Sequence, residues 1–219
     1  MENSPNLATS RVTQLTAINT AKVVTILCLI AGAFFFGVRD MRQVLYLCLH
    51  ISYCVWWLLE QWLYPQRRQV IFNEPVGVAG FSFVIISVGF FYALPGYLAL
   101  TNPEPLSLTA AGIALPLYIF GSLINTSADV QKLTAKQFGA GLVKDNIWRF
   151  SRNINYLGDI LRYLSFSVVA GSVWAYLVPG LITIIYIQRM LKKEQAMAAK
   201  YPEYAEYQQS TRRFIPFIW

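Results

Sequence analysis

The chain has 219 residues, of which 56% are hydrophobic and 13% are charged, and its mean hydropathy is +0.44. Soluble domains carry about a quarter charged residues, so this composition excludes an ordinary soluble protein and indicates a membrane protein. The net charge of +7 would also suit nucleic acid. No soluble domain is available to present the basic residues, however, and we expect no nucleic-acid partner.

Long apolar runs predict four membrane spans in the first part of the chain, each close to the ~20 residues that a bilayer crossing needs. They cover residues 22–38, 44–64, 76–100 and 106–127. Residues 156–191 are long enough for two further passes, with Ala170-Gly171-Ser172 as the tight turn between them. We therefore predict an all-α membrane bundle of about six transmembrane helices. We expect one domain over residues 1–219, with apolar helices in 1–117 and a cofactor-binding half in 118–219.

Basic residues are concentrated before the fifth span and in the C-terminal tail. By the positive-inside rule, both termini, the segment between Pro65 and Pro75 and the cofactor site face the cytoplasm. Arg39 and Arg42 lie on the opposite side in this topology and do not fit the rule.

The second predicted span contains two ionisable residues, His50 and Glu60. A carboxylate inside a membrane needs a partner or a raised pKa, so Glu60 is a candidate acid on the substrate side. In the alternative, Glu60 lies at the cytoplasmic interface beside Arg67 and Arg68. The sequence has one His, and its three Cys lie in apolar spans, so we expect no metal site.

The end of the fourth span is polar. On a continuing helix Asn125, Asp129, Lys132 and Lys136 share one face, which brings an acid and two ammonium groups to the membrane surface. This face is either a solvated helix end with an Asp–Lys pair or part of a binding site.

A polar stripe begins the fifth span. Read as one helix, Trp148, Arg152, Asn155, Asp159 and Arg162 are spaced four, three, four and three residues apart, so they share a face. In so apolar a chain, such a row predicts a bound polar ligand or a buried ion network. Further on, the sequence predicts an amphipathic cytoplasmic helix whose aromatic side folds back on the bundle, made of Glu194, Lys200 to Tyr207 and the closing run Arg212 to Phe217.

Several short runs resemble the C-terminal half of the sterol reductase family, over roughly residues 118–219. They are Ala128-Asp129-Val130-Gln131-Lys132, then Arg152-Asn153-Ile154-Asn155-Tyr156-Leu157-Gly158-Asp159, then Leu177-Val178-Pro179, and finally Glu194, Lys200-Tyr201, Tyr207 and Ile215-Pro216. The chain is also similar to the wider superfamily that includes the steroid 5α-reductases and the isoprenylcysteine carboxyl methyltransferases.

The two branches of that superfamily use different cofactors. The methyltransferase branch usually has Arg-His-Pro-x-Tyr-x-Gly and binds S-adenosylmethionine, whereas the reductase branch has Ala-Asp-x-Gln-Lys and Asn-Tyr-x-Gly-Asp and uses NADPH. This chain has both reductase runs. It has Asn153 where a histidine is customary, and Ile154 where the methyltransferases have proline.

The resemblance implies a membrane oxidoreductase that uses NADPH to reduce a carbon–carbon double bond of a sterol, steroid or isoprenoid lipid. The many cations agree with this cofactor, because its phosphates need several cationic donors, and no glycine-rich dinucleotide fingerprint is present. An S-adenosylmethionine-dependent methyltransferase acting on a lipid or prenylated substrate is the alternative, and a non-catalytic membrane protein is a third possibility. The sequence leaves the oligomeric state open.

The expected site residues follow from these motifs. Tyr163 is the expected proton donor, with Asp159 and Glu60 as the other catalytic candidates. Arg152 and Lys132 are expected on phosphates, and Asn155, Tyr156 and Asp159 at the nicotinamide end. The full set expected to bind cofactor is Asp129, Lys132, Lys136, Trp148, Arg149, Arg152, Asn155, Tyr156, Asp159, Glu194 and Tyr204.

Overall fold

The computed structural model describes residues 12–70 and 72–219, without the side chains of residues 68–70, and within these ranges the chain is helical and forms no strand. The α-helices are α1 Gln14–Phe36, α2 Met41–Leu63, α3 Pro65–Val70, α4 Val78–Val84, α5 Leu94–Thr101, α6 Leu108–Gln137, α7 Ile154–Ala170, α8 Leu177–Lys200 and α9 Tyr204–Ser210. A π-helical turn and a short 3₁₀ turn, Ile85–Phe90 and Phe91–Ala93, join α4 to α5.

Four helical segments of the described ranges are long and apolar enough to cross a membrane. They are Gln14–Phe36, Val78–Thr101, Leu108–Gln137 and Val173–Lys200. This confirms the predicted all-α membrane bundle. The other two predicted spans are also helices, but α7 has only 17 residues, short of a full crossing, and α2 carries charged and amide side chains near both ends. The described residues therefore contain four candidate spans, compared with the six that were predicted.

The described part of the chain divides into two compact units, residues 12–32 with 51–93, and residues 33–50 with 94–219. In the first unit, polar side chains join α1 to α2. The amides of Asn19 and Gln61 exchange two hydrogen bonds of 2.8 Å, and the buried ammonium of Lys22 donates to the hydroxyl of Tyr53 over 3.2 Å. Each polar group thus has a partner where lipid offers none.

Close packing of α6 against α7 organises the second unit. A Cβ atom added at Gly158 would lie 2.7 Å from the backbone N of Asn125 and from the carbonyl O of Gly121. The two backbones therefore approach as closely as glycine permits. The side chain of Asn125 also donates to the carbonyl of Asn155 over 3.1 Å, so the polar end of α6 lies beside the start of α7.

The predicted turn after α7 is confirmed, and Arg42 holds it in place. Gly171 has a φ of +65°, a left-handed conformation that glycine adopts without strain. The guanidinium of Arg42 donates to the carbonyls of Val169 and Glu104 over 2.7 and 2.9 Å. Because this charge binds backbone carbonyls inside the protein, the location of Arg42 is no guide to membrane orientation.

The prediction of one continuous helix over residues 148–162 is wrong. Asn146–Arg149 form a 3₁₀ turn, and α7 begins only at Ile154. The intervening residues bind the C-terminal tail: Ser151 and Asn153 donate side-chain hydrogen bonds to the carbonyl of Arg213 over 3.1 and 2.9 Å. These contacts replace the hydrogen bonds of a helical turn, so the row of polar residues does not share one helix face.

The predicted amphipathic helix is shorter than expected. Glu194 belongs to α8, which continues to Lys200, and only Tyr204–Ser210 form the separate helix α9. Tyr204 and Tyr207 are buried, so the aromatic side of α9 does pack inward as predicted.

Candidate functional site

The second unit contains a partly open cavity of about 220 Å³ at the polar ends of α6 and α8. The loop after α6, the 3₁₀ turn and the start of α9 complete its wall. Its lining residues are Lys132, Lys136, Gly141, Leu142, Val143, Trp148, Arg152, Lys193, Met197, Lys200, Tyr201, Tyr204 and Tyr207.

The cavity is strongly cationic. Five of its lining residues are Lys or Arg, and within the part of the chain that the structure describes no Asp or Glu lines it. A partly enclosed wall with one sign of charge concentrates the electric field, so this site favours an anionic ligand.

Trp148 lines the cavity and is held in place by hydrogen bonds. Its indole N–H donates to the carbonyl of Ala128 over 3.1 Å, and its own carbonyl accepts from the hydroxyl of Tyr207 over 2.6 Å. The ammonium groups of Lys132 and Lys193 lie 5.4 and 5.5 Å from the indole ring, within range for cation–π attraction. The ring thus holds two cations of the cavity near one rigid surface.

Hydrogen bonds also orient the lysines. Lys193 donates to the side-chain oxygen of Asn153 over 2.8 Å and to the carbonyl of Arg152 over 3.3 Å. Lys136 donates to the carbonyl of Ala140 and to the hydroxyl of Tyr201, each over 3.1 Å. The hydrogen bond from Lys136 to Tyr201, together with the charges of Lys136 and Lys200, lowers the pKa of Tyr201.

Arg152 mainly holds the tail against the cavity. Its Nε donates to one carboxylate oxygen of Glu194 over 3.0 Å, and its Nη1 donates to the carbonyls of Gln208 and Thr211. The other oxygen of Glu194 accepts from Arg213 over 3.0 Å. Arg152 is only 7% exposed, so most of its donors serve this internal network.

The two tyrosines of α9 stay protonated at neutral pH. Burial raises the pKa of Tyr204 to about 12, and the charge of Glu194 adds to the effect. Burial likewise raises the pKa of Tyr207. Both residues therefore offer neutral hydroxyl groups to the cavity and its surroundings.

A second polar cluster lies next to the cavity. The hydroxyl of Tyr186 donates to Asp159 over 3.0 Å, and Asp159 also pairs with Arg162. The ring of Tyr156 stacks on that of Tyr186 with centroids 4.3 Å apart, while the cavity lysine Lys193 lies 5.7 Å from the Tyr156 ring. Tyr156 therefore connects the cationic cavity to an acid and a phenol.

The structure brings together five of the residues expected to bind cofactor, namely Lys132, Lys136, Trp148, Arg152 and Tyr204. Tyr156 and Asp159 belong to the neighbouring cluster, and Glu194 lies behind Arg152. Asp129 accepts a long hydrogen bond of 3.5 Å from Asn155. Arg149 lies over the ring of Phe150 at 4.8 Å, outside the cavity lining.

The other catalytic candidates lie in different surroundings. Tyr163 is buried in α7 and packs edge-on against Phe166 at 6.2 Å. Glu60 belongs to the first unit, where its carboxylate pairs with Arg67 over 3.0 Å. The alternative from the sequence was that Glu60 lies beside Arg67 and Arg68. The contact with Arg67 agrees with that alternative, and the side chain of Arg68 lies outside the described residues.

Sequence reasoning missed three cavity residues on α8. Lys193, Met197 and Lys200 follow each other at intervals of four and three residues, so they share a helix face. This spacing was available in the sequence and could have revealed them. The small residues of the loop, Gly141 to Val143, carry no such signal.

Comparisons with known proteins give a consistent result. The model of the family described as protein of unknown function DUF1295 matches residues 44–211, about three quarters of the chain. A Delta(14)-sterol reductase of Arabidopsis thaliana is 24% identical over 203 residues, which cover 84% of this chain and 55% of the relative. The mouse (Mus musculus) Delta(14)-sterol reductase TM7SF2 is 27% identical over 167 residues, covering 64% of this chain and 40% of the relative.

A probable 7-dehydrocholesterol reductase of Acanthamoeba polyphaga mimivirus is 25% identical over 155 residues, covering 59% of this chain and 34% of the relative. The chain thus spans about half the length, or less, of the curated relatives that it matches. These matches confirm the sterol reductase resemblance predicted from the sequence motifs.

Proposed function

The chain belongs to the DUF1295 family, and we propose that it is a membrane-embedded reductase that uses NADPH to reduce a carbon–carbon double bond in a sterol-like or isoprenoid lipid. The observation that carries the proposal is the cavity with five basic residues and, among its described lining residues, no carboxylate. The names of the relatives support the reaction class, and the apolar helices support a lipid-soluble substrate.

The residues present fit the phosphate-bearing end of NADPH. Its 2′-phosphate and pyrophosphate need several cationic donors. Lys132 and Lys193 flank the indole of Trp148, so two ammonium groups and a flat aromatic surface are available together. The cavity of about 220 Å³ is smaller than the ~300–1,000 Å³ of drug-sized sites, so these residues would hold only one end of the nucleotide.

Tyr156 and Tyr186 are the proposed neighbours of the nicotinamide end. They form a stacked pair beside Lys193 and lead away from the cations toward Asp159. When bound, NADPH supplies a hydride to one alkene carbon. The chain must then provide a proton for the other carbon, and an acid close to the cavity is required for this.

We assign the proton to the hydroxyl of Tyr186 rather than to Tyr163. In the structure this hydroxyl donates to Asp159 over 3.0 Å. For the transfer it would turn from the carboxylate to the alkene carbon, and the phenolate that remains would lie beside the pair of Asp159 with Arg162. Asp159 and Arg162 would then orient the phenol. A lipid substrate would reach this cluster from the bilayer, since Tyr186 lies in the candidate span Val173–Lys200.

A reaction assay tests the proposal. Purified full chain in lipid nanodiscs is incubated with a sterol and isoprenoid extract and NADPH, and products are examined by mass spectrometry. We expect a lipid that gains two hydrogens, and we expect Tyr186→Phe to lose this product while keeping NADPH binding. A methylated lipid formed with S-adenosylmethionine, and no reduced lipid with NADPH, would overturn the proposal and favour the methyltransferase alternative.

A further inference from the structure

Residues 214–219 form a tight turn, here named the aromatic hook. The amides of Phe214 and Ile215 donate to the carbonyl of Trp219 over 2.6 and 2.7 Å, and the amide of Trp219 donates back to Ile215 over 3.1 Å. Phe214 is buried, whereas Phe217 and Ile218 are 82% and 76% exposed. The hook therefore keeps one aromatic ring inside and projects two large apolar side chains outward.

The exposed conformation of Phe217 is fixed at a cost. Its φ of +67° is a left-handed conformation that costs a residue other than glycine roughly 1 kcal/mol or more. Exposure of a phenylalanine side chain to water is itself unfavourable, so contact with water does not offset this backbone cost. A site that projects apolar groups rigidly indicates an apolar or interfacial environment around them.

The hook is anchored to the membrane end of the bundle. Its Phe217 ring lies 6.5 Å from the ring of Phe150, which is four residues before α7. The chain just before Phe150 is tied to α6, because Gln131 donates to the carbonyl of Asp145 over 3.0 Å. Gln131 lies less than two turns from the end of membrane-spanning α6, so the hook projects near the height of the bilayer surface.

Arginines surround the exposed rings. Arg149 lies over the ring of Phe150 at 4.8 Å, and Arg213 lies over that of Trp219 at 5.3 Å. Arg212 is exposed next to them. Aromatic side chains with neighbouring arginines are typical of segments that bind the headgroup region of anionic bilayers.

We propose that the aromatic hook inserts Phe217 and Ile218 into the headgroup region of the bilayer that holds the chain's own helices, with Arg149 and Arg212 pairing with anionic lipid headgroups. The preceding residues of the tail bind Ser151 and Asn153 and include α9, a wall of the cavity. Insertion thus fixes the cavity wall to the membrane surface. This inference is independent of the cofactor and of the reaction.

An environment-sensitive fluorescent amino acid tests the insertion without changing the native cysteines. It is placed at position 218, or at Gln209 on the exposed side of α9 as the matched control, in full-length protein in nanodiscs. We expect blue-shifted emission at position 218 and protection from aqueous iodide, with free quenching at position 209. Equal quenching at the two positions would overturn the proposal.

The lipid composition tests the arginines. Nanodiscs of phosphatidylcholine are compared with nanodiscs that also contain phosphatidylserine. We expect stronger protection at position 218 in the anionic discs, and we expect Arg149→Gln with Arg212→Gln to abolish this difference while helical circular dichroism is retained. Protection that is the same in both discs and in the double variant would refute the proposed headgroup pairing.

Discussion

Asn153 offers the sharpest test of how the tail is held beside the cavity. It is fully buried, at 0% exposure, and its amide makes two hydrogen bonds, one to the carbonyl of Arg213 over 2.9 Å and one from Lys193 over 2.8 Å. Asn153→Leu removes both. Only the bond to Arg213 joins Asn153 to the tail, whereas the bond from Lys193 joins it to α8. A neutral bond contributes about 1 kcal/mol, so docking of the tail should weaken by ~1 kcal/mol.

Asn153→His is the matched variant. A neutral imidazole has one donor and one acceptor, the same pair of functions that the amide uses here. This equivalence gives a physical account of why asparagine stands where the families that the chain resembles customarily have histidine. We expect Asn153→His to keep the hydrogen bond to the carbonyl of Arg213, and therefore to leave tail exchange unchanged to within about twofold.

Hydrogen–deuterium exchange of peptides from residues 204–219 measures this docking directly. Because local opening sets the exchange of such a segment, ~1 kcal/mol corresponds to roughly fivefold faster exchange in Asn153→Leu. Peptides from α6 should be unchanged in both variants. Unaltered tail exchange in Asn153→Leu, or equal loss in Asn153→His, would refute the reasoning.

Three further predictions concern stability. Gly158→Ala should lower the melting temperature sharply, because its Cβ would lie 2.7 Å from backbone atoms of α6; Gly112→Ala, with no atom within 4 Å, should be neutral or stabilising by up to ~1 kcal/mol. Glu194→Gln should destabilise the tail by about 3 kcal/mol, since it removes the carboxylate from the buried Arg152 and from the partly exposed Arg213, and exchange in residues 204–219 measures this. The raised pKa values of Tyr204, from 10.0 to about 12, and of Tyr207 mean that the folded state keeps protons that the unfolded state loses. Their contribution is complete below pH 10 and is lost as the pH rises through 12, so thermal melts should show stability falling over that interval and no change from these groups between pH 7 and 9.

Local patterns predicted much of the fold. The apolar runs predicted the membrane helices, because a bilayer crossing demands length and hydropathy that can be counted along the chain. Gly171 marked the turn after α7, since glycine adopts its positive φ without strain. The spacing of Lys132 and Lys136 predicted that they share a helix face, and both lie on the regular helix α6 and line the cavity.

The polar stripe failed for a reason that lies elsewhere in the chain. Its helical spacing was genuine, but Ser151 and Asn153 bind carbonyls about 60 residues further on, and local periodicity carries no signal of such partners. The same long-range contacts turn Arg152, expected on phosphate, into a residue that mainly holds the tail. Asn153 also accepts a hydrogen bond from Lys193, about 40 residues away in sequence, and the local pattern did not reveal this contact either.

The affinity of the purified full chain for NADPH tests the central claim most directly. It is measured in detergent for the wild type, for Lys132→Gln in the cavity wall and for Lys192→Gln, an exposed neighbour of Lys193 outside the lining. Loss of one charged hydrogen bond, about 1.5–3 kcal/mol, predicts a Kd raised by at least ~10-fold for Lys132→Gln and by less than about 5-fold for Lys192→Gln. Equal affinities for all three proteins, or no binding of NADPH by the wild type, would contradict the account.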